Sequence, residues 1–381
     1  MYIRIANILI EGRYGGPQAR TIGVCEKLND IGFESIVVFP RENADQFYEK
    51  LGKKKIQNRR ISLHRLTKQS SHLIRFVIFF IPELSILYNL FKKEHIDIVH
   101  CNGAWQIKGI IAGKLSGARV VWFLNDTQMP GLLRMVFKIL SLSCCDGLIA
   151  NGHRAKKYYL DNSSLSQKPS IVIQSPVDTT VCDPDKVKED QRITCFNGLK
   201  IITVGNINPV KGIEYFIKMS SMLNKQYKRL AFFVIGPHLG SQKKYSEKML
   251  RLVENLELKN FYFYGPSDNI PSVLRTADVY VCSSIAEASP ISVWEAMSMA
   301  KPIVSSDVGD VGRFIKDEEN GFVVPVKDAA ALAEKVGLLI EDEKMRKRFG
   351  QKAREVAVRC LDASICVKSH AKFYRKIMNS K

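Results

Sequence analysis

The residues with the clearest chemical potential form the run Glu287-Ala288-Ser289-Pro290, followed by Glu295. Ser289 suits a helix N-cap and Pro290 the first helical position, so a helix is expected over Ile291–Ala300. The free N–H groups of such a start can hold a phosphate. Glu287, just before it, can accept hydrogen bonds from sugar hydroxyls, and Glu295, within two turns, from two vicinal hydroxyls of a ribose. Acidic residues at a helix start also complement its dipole, so the pattern by itself leaves both readings open. A matching cation is Lys211, in Lys211-Gly212 shortly after Val204-Gly205-Asn206. It can neutralise a diphosphate, although a solvated lysine at a helix start is equally simple. A third motif, Gly12-Arg13-Tyr14-Gly15-Gly16-Pro17, offers backbone N–H groups to a phosphate or makes only a tight turn. It is not G-x-G-x-x-G and no acidic residue ends the next strand, so a dinucleotide fingerprint is absent.

These motifs fall where strands give way to helices. Short β-branched runs are expected as strands at Tyr2–Ile10, Glu34–Phe39, Ile98–Cys101, Val120–Leu124, Gly147–Ala150 and Ile171–Ile173. A second set follows at Lys200–Val204, Ala231–Ile235, Phe261–Tyr264, Val279–Cys282, Ile303–Ser305 and Phe322–Val324. Continuous apolar runs suit parallel strands buried on both faces, and helical periods lie between them. The alternation predicts an α/β fold with two doubly wound, Rossmann-like domains facing an inter-domain cleft. The expected boundaries are 1–180, a charged linker at 181–199, 200–360, and a basic C-terminal helix at 361–381 that packs back on the N-terminal domain. Asp183-Pro184-Asp185 imitates an acidic metal motif but reads as solvated linker.

The chain has 381 residues, enough for two cores, and its 46% apolar content excludes a disordered chain. Its net charge of +19 calls for an anionic partner. From Lys50 through Pro82 there are nine Lys or Arg and no acid, and Lys344–Lys381 has twelve against Glu355 and Asp362. Together these two stretches hold the whole excess. The first leads into the apolar stretch Leu73–Phe91, which Arg75, Pro82, Glu83 and Asn89 interrupt. That stretch is expected as a helix in the core or on an anionic membrane surface rather than as a span. Nine cysteines without a CxxC spacing point to buried reduced thiols in a cytosolic protein. No basic segment precedes the first apolar run, which reads as a strand rather than a signal peptide.

Taken together, the motifs resemble the family four retaining glycosyltransferases of the GT-B fold. The matching residues are Gly15-Gly16-Pro17, Ile98-Val99-His100, Ser175-Pro176-Val177-Asp178, Val204-Gly205 with Lys211-Gly212, Val234-Ile235-Gly236, Ala277-Asp278-Val279, and Glu287 with Glu295 seven residues between. Glu295-Ala296-Met297, Lys301-Pro302-Ile303-Val304 and Asn320-Gly321 continue the match. The resemblance implies transfer of a sugar from a nucleotide diphosphate sugar to a glycan or lipid-linked acceptor, with retained anomeric configuration, in cell-surface polysaccharide or glycolipid synthesis. By it, Glu287 and Lys211 are the catalytic residues. Gly15, Gly16, Gly205, Asn206, Ala288, Ser289, Pro290 and Glu295 bind the donor with Lys211. The acceptor would dock on the N-terminal half, with His100, Asn125, Asp126 and His153 as candidates, a structural imidazole being an equal reading for either histidine. Two departures stand out. Asn206 replaces a customary arginine, and Asn125-Asp126 replaces a histidine–aspartate pair.

No cofactor and no metal are expected, because Lys211 and backbone amides can stabilise a departing diphosphate. The place of action would be the cytoplasmic face of the cell membrane. An epimerase or phosphorylase of the same architecture is the nearest rival. A basic nucleic-acid-binding protein is the non-enzyme alternative, but neither a reading helix nor an aromatic stacking surface is evident, so no nucleic-acid partner is expected.

Overall fold

The structure is a computed structural model that describes residues 2–66, 70–127, 129–161 and 163–380. It divides into two units, Met1–Ser175 with Ala363–Lys381, and Pro176–Asp362.

The first unit is built on β1 (Ile3–Ile8), β2 (Phe33–Pro40), β3 (Gln57–Ile61), β4 (Ile98–Asn102), β5 (Arg119–Leu124), β6 (Gly147–Ala150) and β7 (Ser170–Val172). They pair in parallel in the order β3-β2-β1-β4-β5-β6-β7. Its helices are α1 (Gly16–Asn29), α2 (Asp45–Lys53), α3 (Ser70–Ile78), α4 (Phe80–Lys93), α5 (Ile107–Ser116), α6 (Gly131–Cys144) and α7 (His153–Tyr159). The second unit has β8 (Leu199–Val204), β9 (Leu230–Ile235), β10 (Phe261–Gly265), β11 (Val279–Cys282), β12 (Ile303–Ser306) and β13 (Phe322–Val324). These are again parallel, in the order β10-β9-β8-β11-β12-β13. Its helices are α8 (Gln191–Thr194), α9 (Ile213–Gln226), α10 (Lys243–Asn255), α11 (Ile270–Thr276), α12 (Ile291–Ser298), α13 (Val311–Phe314), α14 (Ala329–Glu341) and α15 (Glu343–Cys360). The last helix, α16 (Ala363–Asn379), belongs to the first unit. Each sheet reverses its strand order once, between β1 and β4 and between β8 and β11. Ligands of open α/β sheets bind at the carboxyl ends of strands beside such a reversal.

The central strands are buried throughout, as their apolar runs demand. α16 is held to the first sheet by Phe373, Tyr374 and Ile377, which pack with Ile5, Ile98, Val121 and Ile149. Each such side chain contributes about 1.5–3 kcal/mol by leaving water. The outer face of α16 carries Lys368, Lys372, Arg375 and Lys376, all exposed.

Several expectations need correction. β3, with the sequence QNRRI, has no apolar run because it is an edge strand. The apolar stretch Leu73–Phe91 is two helices that part at Phe79, and Pro82 sits in the first turn of α4, where its missing N–H costs little. Among the described residues no helix is long and apolar enough to cross a membrane. Residues 181–199 are part of the second unit rather than a tether. Ile193 is fully buried, Asp183 is buried against Arg354 at 3.1 Å, and α8 is capped by Asp190. Asp183 is therefore not solvated, although Asp185 is exposed. All nine cysteines are free.

Five cations of the first basic stretch are paired. Lys53 pairs with Glu49 at 2.6 Å, Lys54 with Glu26 at 2.9 Å, Arg59 with Glu94 at 2.5 Å, Arg60 with Asp45 at 2.7 Å, and Arg65 with Glu11. Lys68 lies outside the described residues. The second stretch is split between the units, and Arg346 and Arg354 of α15 donate to backbone carbonyls of Leu339, Ile340, Cys182 and Ser298.

Candidate active site

At the reversal of the second sheet, the loops leaving β8 and β11 are stitched together. Ile285 N–H donates to the Val210 carbonyl at 2.8 Å, and the Ser283 hydroxyl to that of Lys211 at 3.2 Å. Gly212, in a left-handed conformation with φ 61°, makes this approach possible, because a Cβ there would stand 2.0 Å from the Ser283 carbonyl oxygen. Asn208 fixes the turn by accepting from Lys211 N–H at 3.1 Å.

The result is that Lys211, from the β8 side, donates through Nζ to Glu287 Oε1 at 2.6 Å, from the β11 side. Ser284 donates to the same oxygen at 2.9 Å. The pair is only partly covered, with side-chain exposures of 25% for Lys211 and 16% for Glu287. Burial pulls the Lys211 pKa down, but the charge and hydrogen bond of Glu287 outweigh it and the net direction is up. Lys211 is therefore a firmly held cation. The stem of Lys211 lies over Gly205, where a Cβ would meet its Cδ at 3.1 Å. The glycine thus makes room for the lysine stem. Asn206, just beyond, accepts a hydrogen bond from Asn208 Nδ2.

Glu295 stands on α12, half-buried, and no protein hydrogen bond or ion pair to its carboxylate is present among the described residues. Burial alone raises its pKa to about 7. Both Glu287 and Glu295 act on the buried Tyr280 hydroxyl, which donates to Ser292 at 2.9 Å. The two carboxylates thus share one neighbourhood. The expected cap is corrected: Pro290, not Ser289, is the N-cap residue of α12, and Ser289 Oγ accepts from the Trp294 indole at 2.9 Å. Ala288 is buried beside it. α12 still opens at this place with first-turn amides that have no preceding carbonyl.

In the first unit, Gly15 is the N-cap of α1 and Gly16 its first residue. His100 is not a cleft residue. It is buried under α16, with Nδ1 2.9 Å from the Tyr374 hydroxyl, and burial beside Arg20 pushes its pKa down to about 3. Arg20 itself is buried, 2.8 Å from His370 Nε2 and 3.9 Å above the Phe123 ring. Asp126 accepts from Tyr159 at 2.5 Å, which ties it to α7, and Asn125 is half-buried at the end of β5. His153 is exposed at the start of α7. Among the described residues no group of three His, Cys, Asp or Glu is placed to hold a metal ion.

Ser284, Asn208 and Tyr280 were not singled out from the sequence. Only Asn208 had a signal, as an Asn-Pro pair before a short turn.

Two family descriptions cover the two halves of the chain. "Glycosyltransferase Family 4" matches residues 14–181, and "Glycosyl transferases group 1" matches residues 189–356. The chain belongs to glycosyltransferase family four and has the GT-B type of two-domain α/β fold. It is a glycosyltransferase. Among curated relatives, the UDP-Gal:alpha-D-GlcNAc-diphosphoundecaprenol alpha-1,3-galactosyltransferase of Escherichia coli is 25% identical over 307 residues, 72% of this chain and 78% of that one. The N,N'-diacetylbacillosaminyl-diphospho-undecaprenol alpha-1,3-N-acetylgalactosaminyltransferase of Campylobacter jejuni is 29% identical, over 45% of this chain and 43% of that one. Of solved structures, Anabaena Alr3699/HepE in complex with UDP-glucose superposes with a TM-score of 0.84 at 17% identity, covering 98% of this chain and 100% of that one, a likeness of fold.

Proposed function

We propose that this glycosyltransferase moves a sugar from a nucleoside diphosphate sugar to a lipid-linked or glycan acceptor with retention of anomeric configuration, in the synthesis of a cell-surface polysaccharide or glycolipid. The observation that carries this reading is the Lys211–Glu287 pair across the strand reversal, with the unpaired Glu295 beside it. Glu295 accepts the ribose hydroxyls. Lys211 and the first-turn amides of α12 face the diphosphate and offset its charge as it departs, without a metal. Glu287 and the backbone of Ala288–Pro290 hold the sugar. In the transfer, the bond from the anomeric carbon to the diphosphate oxygen breaks and the acceptor oxygen takes its place on the same face. The acceptor's proton leaves with the nucleoside diphosphate. The two relatives whose names carry a diphospho-undecaprenol acceptor support a lipid-linked one here, and the UDP-Gal relative supports a uridine donor.

Attachment to the anionic inner face of a membrane fits the same reading. Leu73, Ile74, Val77, Ile78 and Ile81 are exposed on α3 and α4, with the exposed Arg75 among them, and Met135, Ile139 and Leu142 are exposed on α6, with Arg134 and Lys138 among them. Because five of the basic-arm cations are already paired, attraction rests on these apolar side chains and the exposed cations among them more than on the arm. Co-sedimentation with anionic vesicles above that with neutral ones at low salt is expected, and equal binding removes the charge argument.

The function itself is tested by following UDP-sugars with the protein and a diphosphoprenol-linked sugar by NMR. Retention appears as an anomeric coupling constant unchanged between donor and product. An inverted product, an epimerised donor, or phosphorolysis without an acceptor each contradicts the proposal.

A further inference from the structure

The Lys211–Glu287 pair of the second unit has a third member whose place is not explained by charge. Ser284 stands two residues beyond β11 and is 3% exposed. Its hydroxyl has a single proton to give, and gives it to Glu287 Oε1 at 2.9 Å. Lys211 Nζ reaches the same oxygen at 2.6 Å. Among the described residues, Glu287 Oε2 accepts no hydrogen bond from the protein. Burial keeps the neighbouring Cys282 a thiol, and that thiol lies beside the Ser284 hydroxyl. The hydroxyl is therefore held between a thiol and a carboxylate.

Two bonds to one oxygen fix the carboxylate where one does not. A lysine ammonium is a point charge on a flexible stem with rotatable donors, so by itself it follows a carboxylate that turns. The last torsion of a glutamate is broad and nearly two-fold, so no rotamer well holds one oxygen outward. A second donor anchored to the backbone of its own loop stops the rotation. Ser284 is such a donor, because both its neighbours are tied down. Ser283 Oγ donates to the Lys211 carbonyl at 3.2 Å, and Ile285 N–H to the Val210 carbonyl at 2.8 Å.

The backbone of Glu287 is held from another side. Gly309, after β12, has φ 52°, and a Cβ there would stand 2.4 Å from the Ala288 carbonyl oxygen and 3.2 Å from that of Glu287. Backbone position and carboxylate plane are thus both set by the protein alone, and Oε2 is the oxygen left to accept. With 16% of its side chain exposed, Glu287 keeps a path to solvent.

We propose that Ser284 is a positioning residue for the donor sugar: it locks the Glu287 carboxylate so that Oε2 meets a sugar hydroxyl while Oε1 stays with Lys211. The role rests on the transfer reading above, in which Glu287 holds the sugar. It concerns the sugar rather than the nucleotide, because the Ser284 hydroxyl donates to Glu287 and to no group assigned to the ribose or the diphosphate.

Wild type, Ser284→Ala, Glu287→Ala and the double variant are compared by calorimetric affinity for UDP, UDP-glucose, UDP-galactose and UDP-N-acetylglucosamine, and by release of UDP from the three sugars. Ser284→Ala should leave UDP affinity unchanged within about twofold, and should weaken the best-bound UDP-sugar and its turnover about tenfold. In the Glu287→Ala background the same substitution should change UDP-sugar affinity by less than about twofold, since a residue that acts through another then has nothing to act on. Ser284→Cys keeps nearly the same volume with a weaker donor. It should fall in the same direction by less, and it replaces the alanine variant in the comparison if that variant fails to fold. Unaltered UDP-sugar affinity and turnover in Ser284→Ala, an undiminished effect in the Glu287→Ala background, or a loss of UDP affinity in step with that of the UDP-sugar each overturns the role and leaves the transfer reading standing. A wild type that neither binds any of the three UDP-sugars nor releases UDP from them removes the transfer reading, and the role of Ser284 with it.

Discussion

Each unit of the chain carries a lysine–glutamate pair at the reversal of its sheet, and the two pairs are differently built. Lys108–Glu83 is sealed, with side-chain exposures of 5% and 3%, while Lys211–Glu287 keeps 25% and 16%. In the sealed pair, burial lowers the Lys108 pKa and Glu83 only partly restores it. In the open pair, Glu287 outweighs burial and the Lys211 pKa rises. Glu83 also has its remaining lone pairs taken by His64, whereas Glu287 has one further partner, Ser284. The sealed pair is a structural brace. The open pair keeps its charges partly accessible to solvent. Identical residue types thus serve opposite ends because of what surrounds them.

The contrast breaks first on stability. Lys108→Met leaves the Glu83 carboxylate buried without its cation and should cost about 3–5 kcal/mol by denaturant unfolding. Lys211→Met should cost about 1 kcal/mol or less, because a partly solvated pair contributes little. Equal losses would erase the distinction. It sharpens next on activity. Glu287→Ala and Lys211→Ala should each lower transfer about 10²–10³-fold with the fold intact by circular dichroism, as removal of a single stabilising group at a reacting centre does. Wild-type turnover in either variant would remove that residue from the site.

A smaller effect follows from Glu295. Its folded pKa, near 7, lies above the ordinary value of 4.5, so the folded state binds more protons between these values. The stability linked to it is complete at low pH and is lost as pH rises from about 4.5 to about 7. The carboxylate form proposed above to accept ribose hydroxyls appears over the upper part of that range. Nucleotide affinity should therefore rise between about pH 6 and pH 8, and both slopes should flatten in Glu295→Gln. The smallest effect is local. Ser289→Ala removes the acceptor of the Trp294 indole and should cost about 1 kcal/mol, read as a lowered thermal midpoint.

Much of the fold was legible because central parallel strands are buried on both faces and read as continuous apolar runs. β3 was not, since its Arg59 and Arg60 find their counter-charges on Glu94 and Asp45, far along the chain. The same non-locality hid the sealed pair, as Glu83 and Lys108 lie on different helices with a strand between. It also turned His100 from an expected cleft residue into a core imidazole, because Tyr374 comes from the far end of the chain. Within the candidate site, Lys211, Glu287 and Glu295 were singled out by residue type and motif spacing, and the structure brings the first two together. That pairing was not legible, because it depends on which strand exits become neighbours. Ser289 was misread as a cap because a short polar residue before Pro fits that role locally, while the indole that claims it is set by packing.

The central claim is that the second unit's open pair and free carboxylate bind a nucleotide sugar. The most direct test is thermal denaturation of the full chain with UDP, GDP, ADP and their sugars, in the wild type and in Glu295→Ala. The account predicts that at least one nucleotide sugar raises the midpoint of the wild type and that the rise is abolished in the variant. An equal rise in both proteins, or none with any nucleotide, would contradict it.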